Sequence, residues 1–276
     1  MTDFKQALRN VREQAPLIQC ITNFVTVNDC ANMVLASGGS PTMCHDIREV
    51  EESVCGVQAL VCNMSALEDI EAMVLAGKQA NRLGKPVVLD PVAAGRTTLR
   101  RSCVKRLLQE VQFSVIRGNA SEIRSLAGET STGSGVDVSV LDVITEDNLR
   151  TSMELVRKLA QQTGSVIAVS GVIDVISDGK QIMVIRNGCE TMSRITGSGC
   201  MLTALIGAFC GAMPDDSFAA ACAAIAVMGV SGELADWRRI RNGTGNATFR
   251  NDLIDAVFNL TEEQLMEGVR YEIYER

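Results

Sequence analysis

An α/β fold, with a mostly parallel central sheet, an antiparallel edge hairpin and helices on both faces, is predicted by three observations in the sequence. From residue 58 onward, short β-rich runs alternate with segments of helical period. The runs ALVCN, PVVLD, FSVI and SVIAV are continuously apolar rather than alternating, as strands buried on both faces require. VIDVIS and KQIMVIR flank Asp178-Gly179, a two-residue hairpin signal that adds the antiparallel edge.

The elements follow in order. Phe4, Leu8 and Val11 recur at helical spacing before Pro16 and predict a short amphipathic helix. LIQCITNF reads as a strand that stops at Thr22 and Asn23, and a helix over 28–37 is closed by Gly38, Gly39 and Pro41. Asn23 and the GGSPTM loop therefore lie on the rim of the sheet. Between the apolar strands the helical pattern covers 66–83, 98–110, 120–127 and 145–163. After the hairpin only helices are expected: 198–213, an Ala-rich helix over 217–235, a loop around NGTGNATF, then 250–260 and 262–275.

Composition narrows the function. With 46% hydrophobic and 21% charged residues the 276-residue chain can bury a large core. No repeat, charge block or Pro/Ser-rich linker divides it, so residues 1–276 are expected to form one domain. Lys+Arg 26 against Asp+Glu 33 leaves a net charge of −7, with no field to attract nucleic acid or anionic lipid. Neither is an expected partner. The N-terminus has acids and amides where a signal peptide needs an apolar run, and the apolar stretch 218–230 falls short of the roughly 20 residues that span a bilayer. The 10 cysteines include no C-x-x-C pair, and there is one histidine, His45, placed at the surface or rim. Neither a disulfide framework nor a zinc site fits; reduced thiols packed as small core residues point to the cytoplasm.

Each parallel strand ends in a polar residue: Asn63, Asp90, Arg117 with Asn119, and Ser170. Open α/β sheets bind ligands beyond the carboxyl ends of their strands, and an acid, a cation, an amide and a hydroxyl suit a phosphorylated ligand with a bound cation. The plainer alternative is that strands end in polar residues because loops lie on the surface. TGSGC at 196–200 opens the apolar helix MLTALIGAFCGAM, so backbone N–H groups and the positive helix end could receive an anion. It is neither a Walker A loop nor a dinucleotide fingerprint, and Gly197 and Gly199 could equally make only a tight turn.

Cys200 stands in the first turn of that helix, where the dipole is expected to lower its thiol pKa. It could be a nucleophile, a weak acceptor for a substrate proton, or one more core cysteine. Asn119 and Glu122 have capping-box spacing, while Glu122 is also expected beside Asp90, a carboxylate pair that could serve hydrated magnesium.

Taken in order, ITNFVTVND, GGSPTM, DPVAAG, VIRGNASEI, the strand ending in Ser170-Gly171, and TGSGC resemble the hydroxyethylthiazole kinases of thiamine salvage, within the ribokinase-like superfamily. The likeness spans nearly the whole chain. It implies a ribokinase-like fold and ATP-dependent phosphorylation of the hydroxyl of 4-methyl-5-(2-hydroxyethyl)thiazole, with Mg²⁺ as cofactor and ATP as co-substrate. By resemblance Asn23 and Met43 line the thiazole pocket and Gly197 lies near the substrate hydroxyl. Arg117, Ser170 and Asn119 fall at nucleotide-binding positions, Asp90 and Glu122 at the metal site, and Cys200 where sugar kinases of the superfamily carry an aspartate base. A homotrimer with the substrate site at a subunit interface is also implied. Three departures stand out: Ala93 replaces the glycine of DPVGAG, Ser170 a common threonine, and GNATF the usual GPGTF. The competing readings are a kinase for another vitamin-precursor alcohol, such as a hydroxymethylpyrimidine, and a nucleotide-dependent hydrate dehydratase; relatives of both kinds tend to have aspartate in place of Cys200. A non-catalytic nucleotide-binding protein would have no use for the Asp90/Glu122 pair.

Overall fold

Asp3 caps the first helix by accepting from the Gln6 N–H at 3.0 Å, and Pro16 ends it. The computed structural model describes residues 2–128 and 143–275. In its first half the elements are α1 (Phe4–Gln14), β1 (Leu17–Ile21), α2 (Val27–Ser37), β2 (Ser40–Thr42), α3 (Val50–Gly56), β3 (Ala59–Asn63), α4 (Ile70–Arg82), β4 (Val87–Asp90), α5 (Thr98–Glu110), β5 (Val115–Gly118) and α6 (Ala120–Leu126). Then come α7 (Leu149–Thr163), β6 (Val166–Val169), β7 (Asp174–Ser177), β8 (Ile182–Ile185), α8 (Ser198–Ala212), α9 (Ser217–Asn242), α10 (Asn246–Asn259), α11 (Glu262–Gly268) and β9 (Tyr271–Tyr274).

The strands form one sheet in the order β2-β1-β3-β4-β5-β6-β7-β8-β9. Pairings from β2 through β6 are parallel, and β7, β8 and β9 run antiparallel, as the continuous apolar runs and the Asp178-Gly179 turn predict. Side chains alternate between two cores. Ile18, Cys20, Val61, Val88 and Val115 pack with α1, α2, α8, α9 and α10, whereas Ile21, Leu60, Cys62, Leu89 and Ile116 pack with α3 to α7. Along α8 every residue from Met201 to Ala212 is buried. An apolar window of α9 is long enough to cross a membrane, but 89% of it is buried inside the protein.

The tail corrects the expectation of helices alone. The predicted helix 262–275 stops at Gly268, and Tyr271–Tyr274 forms β9 on the outer edge of β8, with Ile182 opposite Tyr274. Its aromatic and β-branched residues suit a strand once an edge is offered, and Arg186 Nη1 pairs across the sheet with Glu272 Oε1 at 2.9 Å. The Ala-rich helix does not end at residue 235 but continues to Asn242, where Arg241 lies over the Trp237 ring. Part of the predicted NGTGNATF loop belongs to α10, which starts at Asn246. Strand β2 and helix α3 have no counterpart in the sequence reading.

Candidate active site

The sheet register delivers the polar residues to one edge. Asn63 pairs with Asp90 across β3 and β4, and Arg117 lies on the next strand. Asp90 is 1% exposed, and Arg117 Nη1 stands 3.6 Å from its Oδ2. That oxygen also accepts from Asn63 Nδ2 at 3.2 Å and from Thr203 Oγ1 at 2.8 Å, while Oδ1 has no partner among the described residues. Arg117 Nη2 donates to the Ser170 hydroxyl at the end of β6.

The N-terminus of α8 meets this edge. Gly197 has φ 81°, a left-handed backbone that favours glycine, and a Cβ there would run into Thr26. A Cβ on Gly199 would fall 2.6 Å from Arg117 Nη1. The first-turn N–H groups of Ser198, Gly199 and Cys200 have no helical carbonyl to bond, which leaves them, with the positive helix end, for an anion beside Arg117. The expected meeting of strand tips and glycine-led helix is thus present.

Asn23 is nearly buried. Its Oδ1 accepts from the Val25 and Thr26 N–H groups at 3.0 and 3.1 Å, and its Nδ2 donates to Ser65 Oγ at 2.7 Å and stands 3.8 Å from Cys200 Sγ. Ser65 Oγ in turn donates to Asn63 Oδ1, so one hydrogen-bonded chain runs from Asn23 to Asp90. Met43, just past β2, is partly buried and packs against the same core half as Cys200.

The helix-dipole expectation for Cys200 is overturned. Burial pushes its thiol pKa up, with a further push from the Asp90 charge, against hydrogen bonds from Thr26 and Asn63 and the nearby Arg117. A helix end supplies typically 0.3–1 kcal/mol, less than one pKa unit, and desolvation outweighs it.

The capping reading of Glu122 holds, and its carboxyl also feels the Asp90 charge. Asn119 caps α6: its side chain accepts from the Glu122 N–H, and its own N–H donates to Glu122 Oε2, each at 2.8 Å. Glu122 Oε1 accepts from the Ala93 N–H at 2.9 Å. Burial and then the Asp90 charge push the Glu122 carboxyl up to about 7, against those two N–H groups and Arg117. Burial likewise raises Asp90, against Arg117 and Thr203. Ala93 adopts φ 56°, a left-handed conformation costing an L-residue roughly 1–2 kcal/mol, so the departure from glycine strains the residue that holds Glu122. Among the described residues no group of three or more His, Cys, Asp or Glu could hold a metal ion.

Three contributors escaped the sequence reading: Thr203, Ser65 and Asp174. Thr203 is four residues after Gly199 in an otherwise apolar helix, a spacing that puts a lone hydroxyl on the face of the glycine-led turn. Asp174, at the start of β7, accepts from the Gly171 N–H at 2.9 Å, and burial raises its carboxyl to about 7. Between about pH 4 and 7 the folded protein keeps this proton and the unfolded chain releases it. Stability therefore falls as pH rises across that window, by up to about 1.4 kcal/mol per pH unit from this group. Urea unfolding at several pH values should show a smaller fall in Asp174→Asn, whose amide oxygen can still accept from Gly171; an identical slope would remove Asp174 from the account.

His45 is at the surface, as expected, 3.4 Å from Asp69. A cleft of about 310 Å³ lies between α5 and α6, lined by Arg101, Lys105 and Leu126 among others, and no candidate site residue borders it.

The strand order and the helices around the sheet define the fold class, ribokinase-like. The pyridoxal kinase of Staphylococcus aureus, solved with AMP-PCP and pyridoxal, matches with TM-score 0.56 at 13% identity over 79% of this chain and 87% of that one, a likeness of fold alone. The hydroxyethylthiazole kinase family model matches residues 8–263. Hydroxyethylthiazole kinase of Clostridium acetobutylicum is 46% identical over 272 residues, 98% of this chain and 99% of the relative; that of Desulfovibrio desulfuricans is 46% identical over 266 residues, 93% of each. The hydroxyethylthiazole kinase structure from Pyrococcus horikoshii OT3 matches with TM-score 0.87 at 32% identity, covering 100% of both chains. This chain belongs to the hydroxyethylthiazole kinase family.

Proposed function

We propose that the protein transfers the γ-phosphoryl group of ATP to the primary hydroxyl of 4-methyl-5-(2-hydroxyethyl)thiazole, giving the phosphate ester, ADP and a proton. The observation that carries the reading is the closeness of the α8 N-terminus to Arg117 and Asp90, in a chain of this family. Phosphoryl transfer depends mainly on alignment and charge neutralisation, and these groups supply both.

In this reading Arg117, held by Ser170 and Asp90, contacts the nucleotide phosphates with Ser170 and Asn119. The N–H groups of α8 receive the transferring phosphoryl. Asn23, Met43 and Gly197 border the thiazole alcohol. The acids fit Mg²⁺, which takes one or two carboxylates and fills its shell with phosphates and water: Asp90 Oδ1 is buried without a partner, and each Glu122 oxygen accepts one hydrogen bond in the structure. Bound there, Mg²⁺ would neutralise charge on the phosphates. The remaining parts of the reading, one domain over residues 1–276, a cytoplasmic location and a homotrimer, follow from composition and family resemblance.

Cys200, with its raised thiol, is a weak proton acceptor. A tuned general base contributes about 10²- to 10⁴-fold, and this one falls at or below the low end. Cys200→Asp should keep or raise kcat, and Cys200→Ala should retain a measurable part of it, in an ADP-release assay with Mg·ATP and the thiazole alcohol. Complete loss in Cys200→Ala together with a covalent substrate adduct on the wild type would replace this mechanism with a cysteine nucleophile. Failure to release ADP with any small alcohol would defeat the function itself.

A further inference from the structure

Asp90 is a carboxylate engaged on one side. Oδ2 takes Thr203 Oγ1 at 2.8 Å and Asn63 Nδ2 at 3.2 Å and lies 3.6 Å from Arg117 Nη1, whereas Oδ1, equally buried, takes none. A carboxylate free to turn would divide its donors between both oxygens, because an unmet buried acceptor costs free energy. The two hydrogen-bond donors belong to β3 and α8 and the paired cation to β5, so three packed elements set the orientation.

Thr203 is the donor from the helix. It is 0% exposed, and its hydroxyl is also 3.2 Å from the Gly199 carbonyl. Its single proton favours the shorter contact to the carboxylate. The bond ties the tip of β4 to the first turns of α8, the two halves of the site.

We propose that Thr203 is a positioning residue for phosphoryl transfer: with Asn63 it occupies Oδ2 of Asp90 and keeps Oδ1 free for the divalent cation carried by the nucleotide. This rests on the reading of Asp90 given above. Thr203→Val keeps the side-chain shape and removes the donor; Thr203→Ser restores it.

The test is calorimetric binding of ADP with and without Mg²⁺, alongside kcat. In Thr203→Val the gain in ADP affinity brought by Mg²⁺ should shrink about 10- to 100-fold, as for other partners of metal-bound carboxylates, with metal-free binding unchanged. Thr203→Ser should match the wild type. A Thr203→Val protein that keeps the full Mg²⁺-dependent gain, or loses affinity equally with and without the cation, overturns the assignment. If that variant does not fold, Asn63→Ala removes the other donor: a reduced gain supports the proposal and an unchanged one overturns it. A wild type whose ADP affinity ignores Mg²⁺ overturns the metal role of Asp90, and this assignment with it. A normal wild-type response with an undisturbed Thr203→Val sinks the assignment alone.

Discussion

Gly199→Ala should all but abolish phosphoryl transfer while leaving the fold intact. A Cβ at this position falls 2.6 Å from Arg117 Nη1, 3.0 Å from Nη2 and 3.2 Å from Cζ, so the guanidinium has to move. The backbone suffers no strain, because Gly199 is an ordinary helical residue inside α8, where alanine is favoured over glycine by about 1 kcal/mol. Arg117 is nevertheless held in place by Ser170 and Asp90, and in the proposed reaction losing that position would remove a preorganised charge worth about 10²- to 10³-fold in kcat. Melting temperature and kcat should therefore separate. Full activity in Gly199→Ala would mean that the guanidinium does not work where it stands.

Asp90→Asn should lower kcat by about 10²- to 10³-fold, as expected for one electrostatic group in a water-poor site. The amide oxygen can still accept from Thr203 and Asn63 in place of Oδ2, but the amide N–H₂ then replaces the unpartnered Oδ1 and presents hydrogens where a cation needs an oxygen. Stability should also fall, because the buried Arg117 keeps the Ser170 hydroxyl but loses the charge 3.6 Å away, an effect that the vanished burial penalty on Asp90 partly offsets. Undiminished ADP release would remove Asp90 from the catalytic account, whereas nucleotide binding without ADP production, unchanged by Asp90→Asn, would favour a non-catalytic nucleotide-binding protein.

The parallel sheet was legible because strands such as Leu60–Cys62 and Val87–Leu89 are apolar on both faces, a pattern fixed by their own burial. Strands β2 and β9 were not legible, because Ser40–Thr42 and Tyr271–Tyr274 have no apolar run and become strands only by pairing with β1 and β8. In the site, Asn63, Asp90, Arg117 and Ser170 could be read off as polar strand ends, and the sheet register brings them together. Thr203 and Ser65 could not, since a hydroxyl in a helix or turn gains meaning only from its partner across the fold. The direction of the Cys200 shift escaped for a related reason: the helix end is local and visible in sequence, whereas the burial that outweighs it comes from distant elements.

Because α8 is enclosed from Met201 to Ala212, the body of the helix behind the glycine-led turn cannot open while the surrounding core survives. Residues that open only with the whole molecule exchange and unfold at the global free energy. Heating or denaturant should therefore silence the enzyme in the same cooperative step that melts it, with no inactive but still folded species beforehand.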